Sequence, residues 1–409
     1  MIKSLLLYIT KYITKAKAMI NPEVCTTIVP ITIPEIVPET IQEVAQTSKI
    51  VYYSRRNLET ELELCKKKKL PKLYLSNKNL TEIPTELKEY TWVTNLMLRC
   101  NNITKIDRDS LPPNLEILDV DQNDIKSISP DDIHDKIINL SAEHNNIETF
   151  DGTLFYGLLK LSLSRNKMIN FIAFPPKVTE CELSYNTLTN LPEYNDSLIS
   201  LDIEGNNLSE LGKQNTNIEE IDCSNNEFVK FPKFSNSIKK INISSNIINT
   251  IDIPFPDSLE EFACTNCELR SITVAFPQSI KIIDVENNYL KKMIDLPSSV
   301  KDVNVSNNYI SELGYIPISV IDLDCSNNKI KRIQPILKNR DTLTLVDYGN
   351  EYENECTYYY NNNRQTHYSY YNSGYNQYYQ MGYRRWNMGN TNATNTNPYY
   401  IKNTRHVTI

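Results

Sequence analysis

Between Leu70 and Ile333, apolar and polar residues follow an eleven-position phrase that returns about every twenty residues. In one copy, Ile218, Ile221, Cys223 and Phe228 take positions one, four, six and eleven, and Asn226 takes position nine. Position nine of the thirteen copies holds Lys78, Asn101, Asn123, Asn145, Asn166, Asn186, Asn206, Asn226, Asn246, Cys267, Asn288, Asn308 and Asn328. The steps between them are 23, 22 and 22 residues, and then 20 or 21. The period-two section of each copy predicts a short strand. In the third copy Leu115, Leu118, Val120, Ile125 and Ile128 point into one core, while Ile117, Asp119 and Asp121 face out. Successive strands run the same way, so they pair in parallel, and each crossover returns on the right-handed side. Asparagine at position nine leaves the strand at a turn, where its amide can donate to and accept from otherwise unpaired backbone. Stacked copies then bury a ladder of these asparagines. Cys267 is a substitution within the ladder, and Lys78 is a departure at the first copy, which has no preceding neighbour.

The phrase resembles the leucine-rich repeat. That resemblance implies a leucine-rich repeat solenoid, with a parallel β-sheet on the concave face and extended, polyproline or short 3-10 segments on the convex face. Twenty residues leave too little chain for a full helix opposite each strand. The spacers carry proline, as at Pro256, Pro277 and Pro297, which favours extended chain. Only copies one to four, with spacers such as 129–135, have room for a helical turn. Such short copies are similar to those in effectors secreted by bacterial pathogens. The abundance of Asn, Ile, Tyr and Lys resembles the leucine-rich repeat proteins of giant DNA viruses. Repeats of this kind describe a scaffold and leave the ligand to the exposed positions.

Outside the thirteen copies (70–333) the chain divides by composition. Residues 1–20 form a basic amphipathic leader with Leu5, Ile9 and Ile13 on one side, too short in its apolar run for a transmembrane segment, which takes roughly twenty residues. It reads either as a membrane-surface or targeting helix or as a stretch ahead of a start at Met19. Residues 21–53 are a proline-containing linker. Residues 54–69 carry acids early and four lysines late, the order a helix dipole favours, and predict an N-terminal capping helix that lays Leu58, Leu62 and Cys65 on the first copy. After Ile333 the register fades, and Tyr348 stands where the next asparagine would fall, so 334–351 reads as a C-terminal cap. Residues 352–409 hold thirteen of the 26 tyrosines, many asparagines and almost no aliphatic residues before Ile401. That composition predicts a disordered tail, with self-association through the tyrosines as its alternative role.

No catalytic constellation is readable. The four histidines are scattered, and no glycine-rich phosphate loop occurs. Cys264 and Cys267 have the C-x-x-C spacing of a zinc half-site, but no second pair accompanies them and both already serve the repeat. No enzyme activity, metal or cofactor is therefore expected. Nine cysteines, four of them at buried repeat positions, point to reduced thiols in a cytoplasmic compartment, which for a viral protein is the host-cell cytoplasm or the virion. Charge is the informative feature. Residues 70–351 hold 27 basic and 41 acidic residues, between weakly basic ends. The outward positions three, five and seven hold fifteen acids against Lys72, Arg99, Lys160 and Lys240. Glu180, Glu182, Asp202, Glu204, Glu220 and Asp222 crowd three adjacent strands, with Asp284, Glu286, Asp322 and Asp324 further along. Aspartate is also common on solvated strand faces of this kind. The acidic concave face predicts a protein-interaction scaffold that takes a basic protein or peptide segment and repels nucleic acid.

Overall fold

The computed structural model describes residues 57–352. The leader 1–20, the linker 21–53 and the tail beyond Tyr352 lie outside the described residues. Fourteen three-residue strands, from Lys72–Tyr74 to Thr344–Val346, form one parallel sheet in the order of the chain. Their register is strict, as in Leu201 beside Ile221 beside Ile241. The central residue of these strands points inward, and positions one, four, six and eleven are buried, as Ile218, Ile221, Cys223 and Phe228 show. Since one copy cannot enclose its own apolar side chains, the core runs continuously from Leu62 to Leu337.

Asparagine at position nine joins each copy to the one before it. Asn226 Nδ2 donates to Cys223 O of its own copy at 3.2 Å and to Ile203 O of the preceding copy at 2.9 Å. Its Oδ1 accepts the Leu208 N–H of the preceding copy at 3.0 Å. The same set recurs from Asn101, which donates to Leu75 O and Leu98 O, to Asn328, which donates to Val305 O and Cys325 O. Cys267 keeps the donor half, with Sγ 3.2 Å from Ile243 O, but a thiol has no counterpart to the carboxamide oxygen. The ladder also runs one copy further than the pattern suggested. Asn350 donates to Cys325 O and Asp347 O and accepts from Ile330 N–H. The asparagine place of the last strand is therefore residue 350 and not Tyr348, because a longer preceding spacer shifts the register.

The residue before each ladder position has φ between about +50° and +71° in all fourteen copies, from Asn77 and Cys100 to Asn327 and Gly349. Glycine is scarce in the chain, and asparagine is the other residue that tolerates this conformation well. Six of the fourteen are asparagine, yet Gln122, His144, Arg165 and Tyr185 adopt the same left-handed conformation. A side chain there costs roughly 1–2 kcal/mol, and the ladder hydrogen bonds hold the turn regardless of which residue occupies it.

Spacer length decides what stands opposite the strands. The first three steps, of 23, 22 and 22 residues, hold 3-10 turns at Thr85–Glu89, Arg108–Ser110 and Pro130–Asp132. The final step, from Asn328 to Asn350, holds the short helix Pro335–Lys338. Where the step is 21 residues, a short strand appears instead, at Thr149–Asp151, Thr250–Ile251 and Ser271–Ile272. Thr149–Asp151 pairs with Asn170–Ala173, and the other two pair with each other. Copy four thus carries a strand where a helical turn was expected. Stacked rings sit at these places: Phe150 on Phe171 at 5.8 Å and Phe255 on Phe276 at 4.5 Å.

Helix α1, Leu58–Lys68, stands at the first strand with Leu62 and Cys65 buried. Asn57 caps it by accepting the Thr60 N–H at 2.9 Å, and Lys69 ends it with φ 50°. Replacing Asn226 by Ala removes the interaction that couples two copies. It is expected to cost about 1–3 kcal/mol by leaving buried backbone groups unpaired. Hydrogen exchange should accelerate most between about residues 203 and 228, since the array transmits stability chiefly between neighbours. Unchanged exchange there would contradict the ladder.

Candidate functional site

The strict register converts the outward positions into rows. Glu182, Asp202 and Asp222 stand directly beside one another on three adjacent strands, and Glu180, Ser200 and Glu220 form the parallel row. Glu204 follows Asp202 at the turn, where its Oε1 accepts from Tyr185 Oη at 2.6 Å and Asn225 Nδ2 at 2.9 Å. The ten acids singled out above do not form one surface. Strands Lys240–Asn242 and Glu261–Ala263 separate the group around Asp202 from the group holding Asp284, Glu286, Asp322 and Asp324. In that second group Asp284, Asn304 and Asp324 lie in register, so an amide interrupts the like charges.

Cations are distributed along the sheet in a way sequence counting missed. Glu180 pairs with Lys160 at 2.6 Å, and Glu220 with Lys240 at 3.1 Å, which also reaches Glu261 at 3.8 Å. Arg99 bridges Asp119 and Asp121. Among the described residues no ion pair joins a lysine or arginine to Glu182, Asp202, Glu204 or Asp222. Those four are the part of the face without an ion pair, although Lys160 and Ser162 still favour the charged form of Glu182. Their neighbours are neutral donors: Ser162 Oγ donates to Glu182 at 3.0 Å, and Asn242 Nδ2 to Asp222 at 2.8 Å.

The aspartates at position five also have a structural task that the residue count did not separate from binding. Oδ1 of Asp119, Asp202, Asp222, Asn242, Asp284, Asn304 and Asp324 accepts the backbone N–H two residues on, at 2.9–3.2 Å. This closes the strand end as an Asx turn. The Asp/Asn-x-Ser or Asp-x-Glu spacing in the sequence carries that signal. Because Asn242 and Asn304 make the same bond, the turn needs the oxygen and not the charge.

Burial and like charge act together on this row. Burial pushes Asp222 and Asp284 up to about 6 and Glu143 up to about 7. It also lifts Asp202 well above the usual carboxylate range, with the Asp222 charge adding to the effect, and it raises Glu182. Among the described residues no group of three or more His, Cys, Asp or Glu side chains is arranged to hold a metal ion. No described helix is long and apolar enough to cross a membrane.

Residues 92–136 match the leucine rich repeat family. No protein of curated function matches the sequence. Among solved structures, the chain is similar to a leucine-rich repeat protein of Leptospira interrogans, with 19% identity and a TM-score of 0.60 over 71% of this chain and 81% of that one. It is also similar to YopM, a leucine-rich effector protein from Yersinia pestis, with 20% identity and a TM-score of 0.53 over 71% and 92%. A third similar structure is that of the TLR13–ssRNA13 complex, with 18% identity and a TM-score of 0.54 over 73% and 53%. At these identities what is shared is the fold.

The raised carboxyls bind protons more tightly folded than unfolded, where their pKa is near 4. They therefore stabilise the fold below about pH 4 and lose that contribution as pH rises through 6 to 7. Replacing Asp202 and Asp222 together by Asn keeps the turn acceptors and removes the charge. The double variant should melt at least about 2 °C above the parent at pH 8, the shift that roughly 1 kcal/mol produces in a body of this size. The difference should close towards pH 5. Equal melting at pH 8 would show that the row carries no repulsion.

Proposed function

The chain is a leucine-rich repeat protein, and we propose that it is a non-enzymatic protein-interaction scaffold whose acidic strand face binds a basic protein or peptide segment. One observation carries the reading. Glu182, Asp202 and Asp222 stand in register with Glu204 beside them, and among the described residues no lysine or arginine pairs with any of the four. Neighbouring strands lie about 4.8 Å apart, so these carboxylates repel one another and a row of lysine or arginine side chains would relieve the repulsion. At position five one oxygen is committed to the Asx turn, and in Asp222 the other accepts from Asn242 Nδ2, a neutral donor that leaves the charge without an ion pair. Glu180 and Glu220, each with a neighbouring lysine, form the more neutral border.

The fold does not by itself choose between protein and nucleic acid, since a similar fold occurs in the TLR13–ssRNA13 complex. Charge supports the protein reading here, because phosphates brought to this row would be repelled. The secondary acidic group at Asp284, Glu286, Asp322 and Asp324 extends the same preference towards the C-terminal copies.

The test uses the full chain, a lysine- and arginine-rich peptide and a single-stranded oligonucleotide of similar length. The peptide should bind at about 0.05 M salt and weaken at least tenfold at about 0.5 M, where the screening length falls to about 4 Å. The oligonucleotide should not bind. A variant carrying Glu182→Gln, Asp202→Asn, Glu204→Gln and Asp222→Asn should lose peptide binding while keeping its far-ultraviolet spectrum. Equal binding by this variant would refute the assignment of the face.

A further inference from the structure

At the C-terminal end, the turns that leave the last strands enclose a groove of about 430 Å³ away from the central acidic row. Positions eight and ten of copies eleven to thirteen build it. At position eight stand Asn287, Asn307 and Asn327, all with positive φ, so their carboxamides project from the turn. Asn327 Nδ2 donates to Asn307 Oδ1 at 3.0 Å, and Asn307 Nδ2 to Glu286 Oε1 at 3.1 Å. At position ten Tyr289 and Tyr309 place their rings 6.0 Å apart, and the two residues are 42% and 47% exposed. No other adjacent copies carry two aromatic residues at position ten. Gly349 closes the far end with φ +71°, and a Cβ there would collide with the Asn327 side chain.

Two exposed phenol rings one repeat apart, beside a row of amides, suit an extended segment that brings rings and amides of its own. Rings pack offset or edge to face, and carboxamides bond to peptide N–H and C=O groups. The chain carries such a segment. Residues 353–409 contain twelve tyrosines and twelve asparagines, including Tyr-Tyr-Asn at both 359–361 and 370–372. The described chain also ends beside the groove. Gly349 and Lys329 line it, Glu351 pairs with Lys329, and Tyr352 Oη donates to Asp347 O at 2.9 Å. Charge agrees, because residues 353–409 hold five Lys and Arg against two Glu, and Glu286 borders the groove.

We propose that this groove is the docking site of the tyrosine- and asparagine-rich segment 353–409 of the same molecule. Tethering sets an effective concentration in the millimolar range, so individually weak ring and amide contacts suffice to fill the site. From the first to the third of these copies is roughly 10 Å, two gaps of about 4.8 Å, the length of about three extended residues and hence of one Tyr-Tyr-Asn element.

The full chain with p-benzoylphenylalanine in place of Tyr309 tests this directly. Photolysis of an equal mixture of ¹⁴N- and ¹⁵N-labelled protein, followed by peptide mapping, reports which segment touches the groove and from which molecule. Cross-links into 353–409 carrying a single isotope are expected, and adding Tyr289→Ala should lower their yield at least threefold with the far-ultraviolet spectrum unchanged. Cross-links elsewhere, mixed-isotope products that reveal a second copy in the groove, or a yield indifferent to Tyr289→Ala would each overturn the proposal.

Discussion

Every other feature of this protein depends on the asparagine carboxamide at position nine. It satisfies buried backbone groups of two copies at once, as Asn226 does for Ile203, Leu208 and Cys223. That bond fixes the separation and register of neighbouring strands. It also holds the preceding residue in the left-handed region, whether that residue is Asn225, Arg165 or Tyr185. Once register is imposed, residues far apart in sequence are forced into rows, and the rows are where recognition becomes possible. The thiol at Cys267 shows the tolerance of the scheme: losing one acceptor in a long array leaves the neighbouring rungs intact.

The return side obeys a looser constraint. Its backbone need only span from the ladder to the next strand, so a change of one or two residues alters the local structure without disturbing the sheet. Steps of 22 or 23 residues coil into helical turns, steps of 21 extend into short strands, and Asn170–Ala173 pairs with one of these from within a step of 20. Phenylalanines fill the volume beneath those strands, with Phe150 over Phe171 and Phe255 over Phe276. The same economy operates at the ends, where α1 stands at the first strand and a longer spacer delivers Asn350 to the last rung.

Register has an electrostatic consequence that works against stability. A parallel in-register sheet brings identical repeat positions together, so an acidic preference at one position becomes a line of like charges. Local devices reduce the effect along much of the sheet: Arg99 between Asp119 and Asp121, Lys160 beside Glu180, Lys240 between Glu220 and Glu261, and Asn304 between Asp284 and Asp324. Around Asp202, among the described residues, the hydrogen-bonding side chains are serine, asparagine and tyrosine, and no ion pair is made.

The sequence by itself determined the repeat, the strand at its centre, the buried apolar positions and the asparagine ladder, because each is a periodic property and periodicity is visible one residue at a time. It also put fifteen acids at the outward positions, although Asp119 and Asp121 are buried there against Arg99. Tertiary structure alone decided which of them are paired with a cation. Glu180 and Glu220 are paired with lysines whose reach depends on side-chain geometry, whereas among the described residues Glu182, Asp202, Glu204 and Asp222 make no ion pair. The last rung at Asn350, the short strands opposite the sheet and the ring pair of Tyr289 and Tyr309 were likewise unreadable from the pattern. Each arises where spacer length or cross-copy packing sets a relation between residues about twenty apart, and only the stacking of folded copies brings such residues into contact.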